Sequence, residues 1–148
     1  MQLSMFSDYA LRVLMHLAIL PEKILSTRQI SNIHDAKYHH LTKVTGWLVA
    51  EGYASSARGR GGGLQLAREP SDINLGELLR KLEEGKPMVE CISSDGGLCC
   101  LSPCCGLTQA LYSAQEAFYD TLDQITLASV MTLKPGMVRL LSELNKSA

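Results

Sequence analysis

Ala10, Val13, Leu14, Leu17 and Ala18 recur at helical spacing and predict a first helix with one apolar side. Ser7 is placed to cap it, Asp8 favours its positive N-terminal end, and Pro21 ends it. Ser26-Thr27-Arg28-Gln29 reads as a capping box, with Ser26 as N-cap and Gln29 at the third helical position. Ile30 and Ile33 supply the apolar side of that short second helix, and His34-Asp35-Ala36 forms a tight connection. A third helix starts near Lys37, turns Leu41, Val44, Leu48 and Val49 inward, and stops at Gly52. Tyr53–Ala57 and Gly63–Ala67 are short extended runs, and Leu64 and Leu66 alternate with Gln65 as in a half-buried strand. Between them Arg58-Gly59-Arg60-Gly61-Gly62 permits the positive φ angles of a hairpin tip.

After Pro70 the pattern returns to helix. Asn74-Leu75-Gly76-Glu77 opens it, Leu78, Leu79 and Leu82 continue it, and Gly85 and Pro87 close it. Asp95-Gly96-Gly97 and Pro103 predict a loop. Leu107, Leu111, Ala114, Phe118, Leu122 and Ile125 then step by three and four, predicting a helix roughly 28 Å long. The last stretch, with Pro135-Gly136, is less readable.

Length and composition narrow the class. The 148 residues suit one domain with one core, and 46% hydrophobic with 20% charged residues argues against wholesale disorder. No apolar run reaches the ~18–20 residues that span a bilayer; the best, Ala10–Leu20, is broken by Arg12 and His16. The N-terminus lacks the basic segment and apolar run of a secretory signal, so a cytoplasmic, reducing location without a membrane partner is expected. A net charge of −1 excludes a uniformly basic coat. It hides a division, however: residues 1–70 hold 8 Lys+Arg against 5 Asp+Glu, and residues 71–148 hold 6 against 10. All four histidines lie in the first part.

Two short helices joined by a tight turn, then a hairpin with a basic glycine-rich tip, is the winged helix-turn-helix order. The expected fold class is therefore mainly α with a small β-hairpin wing, a winged helix-turn-helix DNA-binding domain followed by a long dimerisation helix. Lys37, Tyr38, His39, His40, Thr42 and Lys43 occupy exposed positions of the third helix, Arg28 precedes it, and Arg58 and Arg60 occupy the wing. A helix of this kind reads base edges in a major groove, while wing cations meet phosphates or the minor groove. Taken singly, each of these positions suits a solvated surface better than a binding role; the ordered set points to double-stranded DNA. The glycines form no nucleotide loop, since no Gly-Lys-Ser/Thr follows. No acid–base pairing supports catalysis, so no enzyme is expected.

All five cysteines lie between Cys91 and Cys105. A disulfide framework would distribute them and require export. Three readings remain from the residues: inert thiols, a zinc site, or an iron–sulfur cluster held by thiolates of a flexible loop. Cys99, Cys100, Cys104 and Cys105 have the count for zinc, though adjacent pairs are cramped for a tetrahedral site.

The chain resembles the NsrR repressors, a nitric-oxide-sensing branch of the winged-helix family that includes the iron–sulfur regulator IscR. The resemblance is carried by Met1-Gln2-Leu3, Phe6-Ser7-Asp8-Tyr9-Ala10-Leu11-Arg12, His39-His40-Leu41-Thr42-Lys43, Glu51-Gly52-Tyr53 and the wing through Leu66. It continues through Gly76–Glu83, Cys99–Leu107 and Leu122–Ala128, leaving out only the stretch after about Val130. It implies a [4Fe-4S] cluster, with [2Fe-2S] or zinc as alternatives. Cys99-x5-Cys105, with Ser102-Pro103 and Leu107 in register, matches the family's last two ligands, and Cys91 would be the first. The gap Cys91-x7-Cys99 is longer than the family's, and Cys100 and Cys104 are additional, so both stand as alternates. IscR has a histidine three residues after its last cysteine; here that position is Thr108. Asp8 matches the aspartate that such proteins lend to the partner subunit's cluster, and Arg12, one turn on, would report cluster state to the DNA-binding helices. The resemblance further implies a homodimer reading a palindromic operator, with nitric oxide as the signal. The chain thus divides into a DNA-binding domain (1–70), a connecting helix and cysteine loop (71–106), a dimerisation helix (107–130) and a C-terminal tail (131–148).

Overall fold

A computed structural model describes residues 2–21, 23–57, 59, 62–92, 99–101, 104–133 and 135–144. The element order is α1 (Met5–Ile19), α2 (Thr27–Ile33), α3 (Tyr38–Ala50), β1 (Ala54–Ala57), β2 (Gly63–Leu66), α4 (Leu75–Leu82), α5 (Gly106–Asp123), α6 (Leu127–Leu133) and α7 (Pro135–Leu144). Single 3-10 turns lie at Pro70–Asp72 and Glu90–Ile92. The expected fold class is the one observed: helices with one antiparallel hairpin in the winged-helix order.

α1 is the centre of the core. Its buried Ala10, Val13, Leu14 and Leu17 pack among α3, β2, α4, α6 and α7. Each large side chain so buried contributes about 1.5–3 kcal/mol from apolar area. The cap of α1 departs from expectation. Ser4, not Ser7, is the N-cap, and its Oγ accepts from the Ser7 backbone N–H at 3.2 Å. Ser7 is buried instead and donates its hydroxyl to Glu83 at the end of α4. Both serines satisfy the local capping rule; the tertiary contact with Glu83 decides between them.

The second helix and its turn follow the sequence closely. Ser26 and Gln29 form the reciprocal capping box, and Gln29 N–H reaches Ser26 Oγ at 3.2 Å. Asp35 adopts φ 47°, a left-handed conformation that aspartate tolerates, and Ala36 N–H closes the turn on Ser31 O at 2.9 Å. Gly52 takes φ +71° just beyond α3, as its C-terminal stop requires.

The hairpin pairs Ala54 with Leu66 and Ala57 with Gly63. Leu25 adds a one-residue third strand, exchanging backbone bonds of 3.2 and 2.9 Å with Leu64. A Cβ on Gly63 would lie 2.7 Å from Leu25 backbone atoms, so this glycine serves close approach rather than a turn.

The long helix ends earlier than its stripe. Ile125 lies in a turn, where its carbonyl accepts from Leu75 N–H at 2.9 Å, and Leu127 N–H bonds Ile73 O at 2.9 Å. Thr126 then opens α6 by a reciprocal pair: Ser129 N–H to Thr126 Oγ1 at 3.2 Å and Thr126 N–H to Ser129 Oγ at 3.0 Å. Residues 107–130 are therefore not one continuous helix. Buried Leu127 returns the chain to α1, and α7 follows with Pro135 as its first residue, where a missing N–H costs nothing.

Candidate functional site

α3 has two sharply different faces. Leu41, Val44 and Leu48 are buried, while Lys37, Tyr38, His39, Thr42 and Lys43 are exposed and His40 is half-buried. The step of 3.6 residues per turn produces this division directly. Lys37 is the N-cap residue, and its donor-only ammonium cannot accept from the helix N–H groups; the residue is exposed. Thr42 Oγ1 donates to Tyr38 O at 2.9 Å, which leaves its methyl and oxygen lone pairs outward. The Arg28 guanidinium lies 3.9 Å from the centroid of the Tyr38 ring, uniting α2 and α3 at one exposed corner. His39 and His40 meet edge to face, with centroids 4.3 Å apart. Burial, then His39, Lys37 and Lys43, lowers the pKa of His40. Arg58 and Arg60 lie outside the described residues; between them Gly59 takes φ +103° and accepts from Gly62 N–H at 2.9 Å.

One supporting residue escaped the sequence reading. Arg68 donates to Gly52 O and Glu51 O, both at 2.9 Å, and its guanidinium lies 4.4 Å from the Tyr53 ring centroid. It satisfies carbonyls at the negative end of α3. Its signal would be a cation sixteen and seventeen residues beyond the carbonyls it satisfies, a separation set by the hairpin.

The cysteine segment is partly described. Cys91 sits half-buried in the 3-10 turn Glu90–Ile92, and Cys105 sits half-buried as the N-cap of α5. Thr108, one turn into α5, meets both. Its Oγ1 is 3.4 Å from Cys91 Sγ, and its N–H and hydroxyl, followed by Leu107 N–H, lower the pKa of the Cys105 thiol against burial. A helix N-terminus with free N–H groups favours thiolate in this way. Cys99, Cys100 and Cys104 are exposed, and Ser102, Pro103 and the Asp95-Gly96-Gly97 stretch lie outside the described residues.

Asp8 is held within its own chain. Its carboxylate takes a two-point contact from Arg12, with Nε–Oδ1 at 3.1 Å and Nη2–Oδ2 at 2.9 Å. Among the described residues no group of three or more His, Cys, Asp or Glu side chains is arranged to hold a metal ion. The chain thus brings Cys91 and Cys105 together and does not bring Cys99 or Asp8 to them. The donor chemistry still fits an iron–sulfur group: Cys91 and Cys105 both meet Thr108 at the start of α5, and three further thiols of the same segment are exposed.

Nor is any described helix long and apolar enough to cross a membrane.

Comparison with known proteins follows the same lines. The Rrf2 family, described as an iron-dependent transcriptional regulator, matches residues 3–133. The HTH-type transcriptional regulator NsrR of Shouchella clausii is 39% identical over 132 residues, covering 88% of this chain and 89% of that protein. NsrR of Bacillus subtilis is 39% identical over 142 residues, covering 95% and 97%. Among solved structures, IscR of T. potens matches with a TM-score of 0.68 at 24% identity, over 89% of this chain and 87% of that one. The global cysteine regulator CymR of B. subtilis matches with a TM-score of 0.66 at 24% identity, over 90% and 98%. The curated relatives are named as transcriptional regulators. On this match of sequence and fold, the chain belongs to the Rrf2 family of transcriptional regulators.

Proposed function

We propose that the chain is a homodimeric DNA-binding repressor whose operator binding depends on a [4Fe-4S] cluster and is lost on reaction with nitric oxide. The observation that carries this reading is the meeting of Cys91 and Cys105 at Thr108, in a chain 39% identical to regulators named NsrR. Cys91, Cys99 and Cys105 would hold the cluster, with Cys100 and Cys104 as alternates and Asp8 of the partner subunit as the fourth ligand. When bound, the cluster supplies iron that reacts with nitric oxide.

Everything else falls to this chain's own residues. Within its own chain Asp8 pairs with Arg12 through both oxygens, and ligation to the other subunit's cluster would draw at least one of them away. Arg28, Lys37, Tyr38, His39, His40, Thr42 and Lys43 form the groove-reading surface, with Arg58 and Arg60 on the wing. Basic side chains at these places neutralise phosphates, which dominate affinity even in a chain of small net charge. The homodimer draws support from α5. Among its described side chains only Tyr119 is buried, while Leu107 is 64% and Tyr112 47% exposed. A second copy covers such a stripe most economically by two-fold pairing, which also gives one α3 to each half of a palindromic site.

The test is anaerobic purification followed by a visible spectrum and assays of iron and sulfide. Nitric oxide is then titrated while binding to a duplex enriched from a randomised pool is followed. The expected result is a coloured protein whose DNA affinity collapses as nitric oxide is added. A colourless, zinc-loaded protein binding DNA regardless of nitric oxide overturns the reading, and a two-iron stoichiometry replaces [4Fe-4S] by [2Fe-2S].

A further inference from the structure

Asp8, Arg12 and His16 follow one another at four-residue steps along α1 and so share one face of it. The first two are joined by the two-point ion pair. The third is fully buried, and its Nδ1 lies 3.1 Å from Nε2 of His34. The two rings meet edge to face, with centroids 5.3 Å apart. His34 is the C-cap of α2, and the left-handed Asp35 and the buried Ala36 are all that separate it from Lys37, the N-cap of α3. Charges on Arg12 and Asp8 both bear on the His34 ring, in opposite senses. One face of α1 therefore carries, in order, the candidate cluster ligand, its ion-pair partner, and a polar bond to the turn that launches the DNA-reading helix.

That bond is an unusual choice of material. The core that α1, α2 and α3 share is otherwise built of apolar side chains such as Val13, Leu17, Ile30 and Leu41, and an apolar pair is the ordinary choice there. A hydrogen bond between two imidazoles instead needs one ring to donate and the other to accept, so it has a narrow geometry and a defined tautomer on each side. Such a bond adds little net stability but fixes how two elements sit against each other. Arg12 lies one turn before His16 on the same face of α1, so a change in its pairing with Asp8 acts next to the element that carries the bond.

We infer that the His16–His34 bond is the positioning link by which the Asp8–Arg12 pair on α1 sets the placement of α3. The link rests on the proposed function only in the identity of the signal that moves Asp8.

The experiment uses the full-length protein reconstituted without oxygen, and compares wild type, Asp8→Ala, His34→Ala, His34→Gln and the Asp8→Ala/His34→Ala pair. Amide hydrogen exchange is read over residues 35–38, and binding to the enriched duplex is read by anisotropy with the cluster present and removed. Asp8→Ala is expected to raise exchange in the turn at least fivefold, and less than twofold in the His34→Ala background. His34→Ala should leave iron content and visible spectrum unchanged while reducing the cluster-loaded to cluster-free affinity ratio at least fivefold. His34→Gln, whose amide can bond His16, should recover most of that ratio. Equal exchange responses with and without His34, or an affinity ratio within twofold of wild type, overturns the link. If wild type itself shows no cluster-dependent affinity, the proposed function fails and the exchange comparison alone decides the link. If His34→Ala does not fold, His34→Leu removes the bond while keeping the volume, and the same two readouts apply.

Discussion

α1 and α5 are both amphipathic helices, of 15 and 18 residues, yet they use their apolar residues in opposite ways. α1 buries Ala10, Val13, Leu14 and Leu17 within its own chain, against five other elements. α5 packs mainly on α4 and on the turn at Glu90–Ile92, buries Tyr119, and leaves Leu107 and Tyr112 in solvent. Periodicity announces that a helix has an apolar side; it does not say what covers that side. The covered stripe belongs to the scaffold, and the uncovered one is the surface that the proposed dimer would cover. The same contrast holds for polar groups. Ser7, His16 and Glu83 are committed to internal bonds, whereas Cys99, Cys100, Cys104 and the outer face of α3 are presented outward.

The comparison can be broken most forcefully at Leu14. Leu14→Ala should cost about 3 kcal/mol in denaturant unfolding, because a fully buried leucine leaves a cavity. The matching change Leu107→Ala should cost less than about 0.5 kcal/mol. Leu107→Glu should shift sedimentation toward monomer and weaken operator binding about tenfold, or 1.4 kcal/mol. Equal losses at Leu14 and Leu107 would erase the distinction.

Gly76→Ala tests the junction between the two regions. An added Cβ would fall 2.0 Å from Asp123 Oδ1 and 2.8 Å from its backbone nitrogen, so α5 must shift on α4. The same Asp123 holds Arg80 at 2.6 Å, so the movement also strains that ion pair. A loss of about 2–3 kcal/mol is expected, read as a lower denaturant midpoint.

Acid should separate two internal bonds by pH window. Burial, then His16 and Arg12, pushes His34 down to about 4 against Asp8, so the folded state prefers the neutral ring. Stability is then full above the ordinary value of 6.5 and is lost as pH falls from there toward 4. The loss is on the order of 1 kcal/mol once solvent screening of the half-buried ring is allowed for. Glu83 titrates lower. Burial opposes its ionisation, but bonds from Ser7 and Ser4 and the charge of Lys86 outweigh it and lower its pKa below 4.5. Its contribution, present above pH 4.5, disappears as pH falls through that lowered value. Melting curves of His34→Gln and Glu83→Gln across pH 3–8 should each flatten one window only.

The smallest expected effect is at Lys43. Lys43→Ala should leave the melting curve unchanged and reduce the salt dependence of DNA binding by about one phosphate contact. An unchanged salt slope would place Lys43 outside the DNA interface.

Much of this was legible because the deciding forces are local. The Ser26–Gln29 box, the Asn74 cap, the Gly52 stop and the inward stripe of α3 depend on side chains within a few residues of one another. The Thr126–Ser129 capping pair was equally local and equally readable, and it marks the break between α5 and α6 that the apolar stripe concealed. Other features had no local signal. Ser4 displaced Ser7 as cap because Glu83, far along the chain, takes the Ser7 hydroxyl. Leu25 became a strand residue because Leu64 offered both halves of a bridge.

The sequence by itself determined the succession of helices, the hairpin, and the confinement of all thiols to one segment, since spacing and caps act over short distances. Only the tertiary structure decided which thiols meet, which serine caps, and that His16 finds His34. Those outcomes depend on groups eighteen or more positions apart, or on one turn docked beside another, and chain proximity carries no information about them.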